Sequence, residues 1–212
     1  MRIILSGLSG IMLTFNVMAA DISEGKQYIS LDKVISLDKK VSDEQRVINF
    51  FSFNCGHCYQ FEKMLHESGN VNKILPEGVE MSRYHVSSMG PLGQELNHAW
   101  AVAVMLGVED KVTMPLFEAV QVSRKVKNVT DIRQIFIDAG INEVDYDSAW
   151  NSFLLKAWLM QQENAAVEYQ VQAVPAVFVG GKFKLRPQGM NTQVTDSFIS
   201  EYADTIRLLL DK

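Results

Sequence analysis

The chain has 212 residues, 47% hydrophobic and 21% charged, with 13 Gly and 5 Pro. That excludes a disordered or fibrous protein and leaves room for one domain, or one domain carrying an insertion. The formal net charge of −5 argues against nucleic acid or an anionic membrane as partner, and 2 Cys are too few for a disulfide framework or a four-cysteine zinc site.

The first residues read as a targeting segment. Arg2 opens it, an apolar run follows from Ile3 to Phe15, and small residues close it at Val17, Ala19 and Ala20. This predicts a secretory signal peptide over residues 1–19 and work in an oxidising compartment. No other segment is apolar enough to span a membrane. A short strand is predicted near residues 28–31. Val47-Ile48-Asn49-Phe50-Phe51-Ser52-Phe53 is β-prone and apolar on both faces, so it reads as a buried, central strand. A helix follows, with Cys58, Phe61 and Leu65 on one face and Glu62, Lys63 and Glu67 on the other, and Gly69-Asn70 able to end it. Residues 79–86 form a second strand, which makes a βαβ unit.

The middle is helical. Leu96, Ala99, Trp100, Ala103 and Val104 share a face, and Met114, Phe117 and Val120 mark a short helix. Thr130 is the expected cap of another helix, and Tyr146, Trp150, Phe153, Leu154 and Trp158 form an apolar stripe. Val174-Pro175-Ala176-Val177-Phe178-Val179, Gly180-Gly181 and residues 182–186 read as a hairpin with a two-residue turn. A closing helix carries Phe198, Ile199, Tyr202, Ile206 and Leu209. The element order predicts an α/β protein: a βαβ first part over residues 20–86, an inserted all-helical domain over 87–165, and a ββα second part over 166–212.

Cys55-Gly56-His57-Cys58 lies between the buried strand and the helix. A C-x-x-C pair in a βαβ context is a thioredoxin-like redox signal. Two intervening residues put the sulfurs one helical turn apart, within disulfide reach. Cys55, at the helix start, meets unpaired N–H groups and the positive end of the helix dipole, and His57 adds a nearby cation. All three favour a Cys55 thiolate, and Cys58, one turn in, suits the resolving role. Were the Cys55 thiol held near about 3.5 instead of about 8.5, the reduced enzyme would gain roughly 4.8 kcal/mol at pH 7. That corresponds to about 100 mV of oxidising power. Two blander readings compete: half a zinc site, and an inert structural disulfide.

Val174-Pro175 is the second feature. A cis bond there would interrupt the strand and leave backbone free to pair with a substrate peptide. His85 and His98 read as structural residues, His66 as surface, and the three Trp as helical core. Met89 and Met190 could line an adaptable peptide surface. Glu62 reads as a plain surface charge.

Segments spread over nearly the whole chain after the signal peptide closely resemble the DsbA family, the periplasmic thiol:disulfide oxidants of Gram-negative bacteria. They include Phe50-Phe51-Ser52-Phe53, Cys58-Tyr59-Gln60-Phe61-Glu62, Leu75-Pro76-Glu77-Gly78-Val79, Tyr84-His85-Val86, Ala99-Trp100-Ala101-Val102-Ala103, Tyr146-Asp147-Ser148-Ala149-Trp150 and Pro187-Gln188-Gly189-Met190. The resemblance implies a thioredoxin fold with an inserted all-helical domain, in agreement with the element order, and a monomer that passes a Cys55–Cys58 disulfide to reduced exported proteins. It implies no cofactor beyond that disulfide, no metal, and reoxidation by a DsbB-like membrane quinone reductase. It makes Cys55 the attacking sulfur, His57 its stabiliser and Cys58 its partner. Val174 and Pro175 become the substrate-facing loop, and Gln60, Phe61, Leu65, Met89, Pro187 and Gln188 surround a hydrophobic groove. Two positions depart from the family. Its usual Pro-His dipeptide is Gly56-His57 here, the pair of protein disulfide isomerase, whose established potential is about −180 mV against about −120 mV for DsbA. Its buried glutamate is Asn49 here, and the lysine paired with that acid is Arg83, so the titration of the acid should be lost. Both changes point to weaker oxidation and a paralogue with narrower clients. A disulfide isomerase or reductase, and a chaperone-like binder with an idle disulfide, are the rival readings.

Overall fold

The computed structural model describes residues 21–36, 47–67, 75–77, 79, 81–191 and 194–212. The signal peptide over 1–19 and the helix stop at Gly69-Asn70 lie outside these residues. Five strands form one sheet: β1 (Tyr28–Ser30), β2 (Val47–Phe51), β3 (Met81–His85), β4 (Ala176–Val179) and β5 (Phe183–Leu185), in the spatial order β1-β5-β4-β2-β3. Only β2 and β3 run parallel, and α1 (Gly56–Glu67) lies between them in the chain, as a parallel crossover requires.

All five residues of β2 are buried, which explains its apolar run. One face sends Ile48 and Phe50 against Tyr84, Tyr169 and Phe178. The other sends Val47 against Phe61 and Leu65 of α1 and against Phe198, Tyr202 and Ile206 of the closing helix. The hairpin of β4 and β5 is wider by one residue than expected. Val179 pairs with Phe183, so Gly180, Gly181 and Lys182 all lie in the loop. Both glycines have positive φ, 59° and 64°, which a side chain would resist.

Five helices separate β3 from β4: α2 (Gly93–Leu106), α3 (Glu109–Phe117), α4 (Val129–Asp138), α5 (Glu143–Trp150) and α6 (Phe153–Glu168). They enclose Trp100, Phe117 and Phe136, none of which is exposed. The closing helix is α7 (Thr195–Leu210). Two local expectations change. The cap of α4 is Asn128, whose side chain accepts the N–H of Thr130 and Asp131 while the Asp131 carboxylate accepts the N–H of Asn128. Thr130 is thus a recipient of the cap. The stripe from Tyr146 to Trp158 is broken by Ser152, which caps α6 and leaves Phe153 80% and Leu154 69% exposed. The expected boundary between residues 165 and 166 falls inside α6. Leu155 packs in the helical core and Ala165 packs against the sheet, so the chain changes cores within one continuous helix.

The helices also close a sheet edge. β3 is an outer strand, and Arg83 and His85 turn their backbone groups away from β2. The Trp100 indole N–H of α2 donates to the Arg83 carbonyl at 2.8 Å, and the Gln162 side-chain oxygen of α6 accepts the His85 N–H at 3.0 Å. Capped groups of this kind no longer invite another strand. Trp100→Phe orphans the Arg83 carbonyl and empties part of the helical core, and should cost about 2–4 kcal/mol. Urea unfolding would show it as a lower midpoint at unchanged slope.

Candidate active site

Residues 52–55 carry the chain from β2 into α1. The Ser52 carbonyl accepts the Cys55 N–H at 3.0 Å, and the Ser52 hydroxyl accepts the Asn54 N–H at 3.2 Å. The Asn54 amide then donates to the carbonyls of Met89 and Pro91, at 2.9 and 3.0 Å. Gly90 between them has φ 68°, and a Cβ there would come within 2.6 Å of the Asn54 side chain. Only glycine lets that loop wrap so closely.

Cys55 therefore stands at the mouth of α1. Its sulfur accepts the Cys58 N–H at 3.2 Å and lies 3.3 Å from the Val174 carbonyl, to which the thiol donates. The Val174–Pro175 bond is cis. Both cysteines are free thiols, Cys55 7% and Cys58 2% exposed, and His57 is exposed. Their acidities are driven apart. The hydrogen bond from the Cys58 thiol lowers Cys55 to about 6, against the opposing effect of burial. The backbone N–H groups of Cys58 and His57 and the His57 charge add to it. The same hydrogen bond pushes Cys58 far up, and burial and the Glu62 carboxylate push it further.

Glu62 corrects the sequence reading. It is buried, at 8% exposure, and pairs with the Arg83 guanidinium at 2.6 Å. Arg83 stands beside Asn49 in the sheet register, with its guanidinium 5.0 Å from the Phe51 ring centre and 4.9 Å from that of Trp100. Phe61 and Leu65, expected around a groove, are 4% and 1% exposed and belong to the core against α7. Gln60 is exposed on α1, Met89 is half-buried beside Asn54, and Pro187 and Gln188 lie on a 3-10 turn after β5. Met190, just beyond that turn, is buried in the core. Among the described residues, no three His, Cys, Asp or Glu side chains gather as a metal site, and no helix is long and apolar enough to cross a membrane.

A family model for the DSBA-like thioredoxin domain matches residues 46–203. The chain is 55% identical over 212 residues to the thiol:disulfide interchange protein DsbA of Salmonella typhimurium, with all of both chains covered. It is 51% identical over 213 residues to the protein of that name from Escherichia coli K12, again over all of both. The structure of Proteus mirabilis DsbA with a non-covalently bound peptide, PWATCDS, matches at a TM-score of 0.81 and 42% identity, covering 91% of this chain and 100% of that one. Two thiols of opposed acidity at a helix mouth, on a thioredoxin-like sheet with an inserted helical block, agree with all three likenesses: the chain belongs to the DSBA-like thioredoxin family and is a thiol:disulfide oxidoreductase.

Proposed function

We propose that this oxidoreductase acts as an oxidant in the periplasm, donating a Cys55–Cys58 disulfide to newly exported proteins with Cys55 as the attacked sulfur. The observation that carries the reading is the split between the two thiols, one lowered to about 6 and the other raised. A substrate thiolate attacks the Cys55 sulfur, and the Cys55–Cys58 bond breaks. Cys58 leaves and takes up a proton, as its raised pKa favours. The substrate's second thiolate then attacks the substrate sulfur of the mixed disulfide, and Cys55 leaves as a stabilised thiolate. The substrate is oxidised by two electrons and the enzyme becomes the dithiol. His57 supports the thiolate through its N–H and its charge.

The peptide surface of this reading is formed by Val174 and Pro175 with Gln60, Met89, Pro187 and Gln188, and leaves out Phe61 and Leu65, which are packed in the core against α7. The Val174 carbonyl already touches the Cys55 sulfur, so a peptide running beside that segment would reach the reacting atom. A cysteine-containing peptide held by the Proteus mirabilis relative supports this class of ligand. The redox-active disulfide is the only redox group required. The predicted signal peptide supports export, and a DsbB-like membrane quinone reductase would restore the disulfide. The protein acts as a monomer.

Linkage gives the size of the drive. A thiol lowered from 9.0 to about 6 stabilises the folded reduced form fully above about pH 9, less as the pH falls, and not at all below about 6. At pH 7 the gain is about 1.4 kcal/mol, or about 30 mV. That is smaller than the sequence argument allowed, because burial of Cys55 works against its charge. Three outcomes follow from this chemistry. The ultraviolet absorbance of the thiolate should titrate with a midpoint near pH 6 in the reduced protein and vanish in Cys55→Ala. Cys55→Ala should abolish oxidation of a reduced model substrate, whereas Cys58→Ser should accumulate a mixed disulfide through Cys55; oxidation surviving in Cys55→Ala would sink the assignment. In a glutathione redox buffer the potential should fall on the reducing side of the established value of about −120 mV for DsbA, toward about −180 mV.

A further inference from the structure

The residue that leads into the redox motif is held from two sides by side chains distant in sequence. Phe53 follows β2 and is fully buried. Its N–H donates to the His85 ring at Nε2, 3.0 Å away, and its carbonyl accepts from the Gln121 side-chain amide at 2.8 Å. The His85 ring also stacks on the Phe53 ring, with centres 5.3 Å apart and planes 27° from parallel. Because Nε2 accepts an N–H, the imidazole is neutral with its proton on Nδ1. Burial keeps it so, lowering His85 to about 3.

Gln121 reaches Phe53 from the helical block. It lies in a π-helical turn, Glu118–Val122, that continues α3 beyond Pro115, and the Ser123 N–H bonds back five residues to the Glu118 carbonyl at 2.9 Å. One extra residue in a turn rotates every following side chain by about 100° relative to an unbroken α-helix. The π turn is therefore what aims Gln121 at the motif. The same side chain also lies over the motif itself: its oxygen is 3.6 Å from the position a Cβ on Gly56 would take.

We propose that His85 and Gln121 are positioning residues of the redox site, which together fix the Phe53 peptide and so hold the first turn of α1 with its N–H groups on the Cys55 sulfur. The inference rests on the reading of Cys55 as the attacked sulfur. If the clamp loosens, those donors lose their aim and the thiolate loses stabilisation, although neither residue touches sulfur or substrate. A merely structural role would change stability alone.

The deciding experiment is the thiolate absorbance titration of the full mature protein beside Gln121→Leu, His85→Leu and His85→Gln, each first shown to be folded by circular dichroism. Gln121→Leu keeps similar bulk and removes the donor at a half-buried position. It and His85→Leu should each raise the Cys55 midpoint by about one pH unit. At pH 7 that corresponds to about a fivefold shift of the glutathione exchange constant toward weaker oxidation. His85→Gln, whose oxygen can accept the Phe53 N–H, should recover most of the parent midpoint. Folded Gln121→Leu with an unchanged midpoint overturns the clamp, and this variant decides alone if His85→Leu does not fold. An ordinary thiol midpoint in the parent protein overturns the Cys55 reading and the clamp with it, so the two failures are told apart.

Discussion

The structure turns on a short passage of backbone. β2 is buried on both faces, so its position is set by two cores at once, and the chain must become the mouth of a helix within residues 52–55. A buried turn of that kind can exist only if its N–H and carbonyl groups find partners. Here Ser52 serves Asn54 and Cys55, and Asn54 ties down the loop at Met89 and Pro91. Each such bond contributes about 1 kcal/mol net, but leaving one of these groups bare costs about 1–3 kcal/mol. The turn is thus held less by the strength of any bond than by the cost of breaking one. Cys55 inherits its place from this constraint. Its sulfur meets helix N–H groups because the helix can start nowhere else.

Charge beneath the motif follows a similar logic. Arg83 is largely withdrawn from solvent, with 14% of its side chain exposed, and needs a counter-charge, since an unpaired cation out of water is expensive. Its neighbour in the sheet is Asn49, which is neutral and whose side-chain oxygen has no hydrogen-bond partner among the described residues. The carboxylate comes instead from Glu62 on α1, one turn beyond Cys58. Two aromatic rings hold the guanidinium in position for it. With the negative charge on the helix, it lies where it helps keep Cys58 protonated. The pair therefore satisfies Arg83 and deepens the asymmetry of the two thiols through one contact.

Much of this could be read from the sequence where local pattern decides. The apolar run over β2, the two-residue gap in the Cys pair and the glycines of the hairpin each report a backbone requirement, and each sits where expected. The misreadings share a different cause. Helical spacing tells which residues share a face but not what covers that face. Glu62 looked outward until Arg83 came from another strand to meet it. Phe61 and Leu65 looked available until α7 packed over them. Phe153 and Leu154 looked buried, yet among the described residues both stand largely exposed at the start of α6. Gln121 carried no signal at all, because a lone glutamine in an apolar stretch belongs to no motif and its aim depends on a π turn that periodicity does not reveal.

The helical block is more than an addition to the sheet. It caps the open edge of β3 through Trp100 and Gln162, and it shares α6 with the core on the other side. The cysteines themselves pack in its core, in one cluster with Trp100, Phe117 and Phe136. Close-packed interiors do not absorb local change without adjusting their neighbours. Making or breaking the bond between Cys55 and Cys58 therefore alters a contact inside the helical core, and a change in that core alters the surroundings of the sulfurs. A thioredoxin-like sheet supplies the strand, the helix mouth and the cysteines, while the inserted helices supply the walls against which those parts are set.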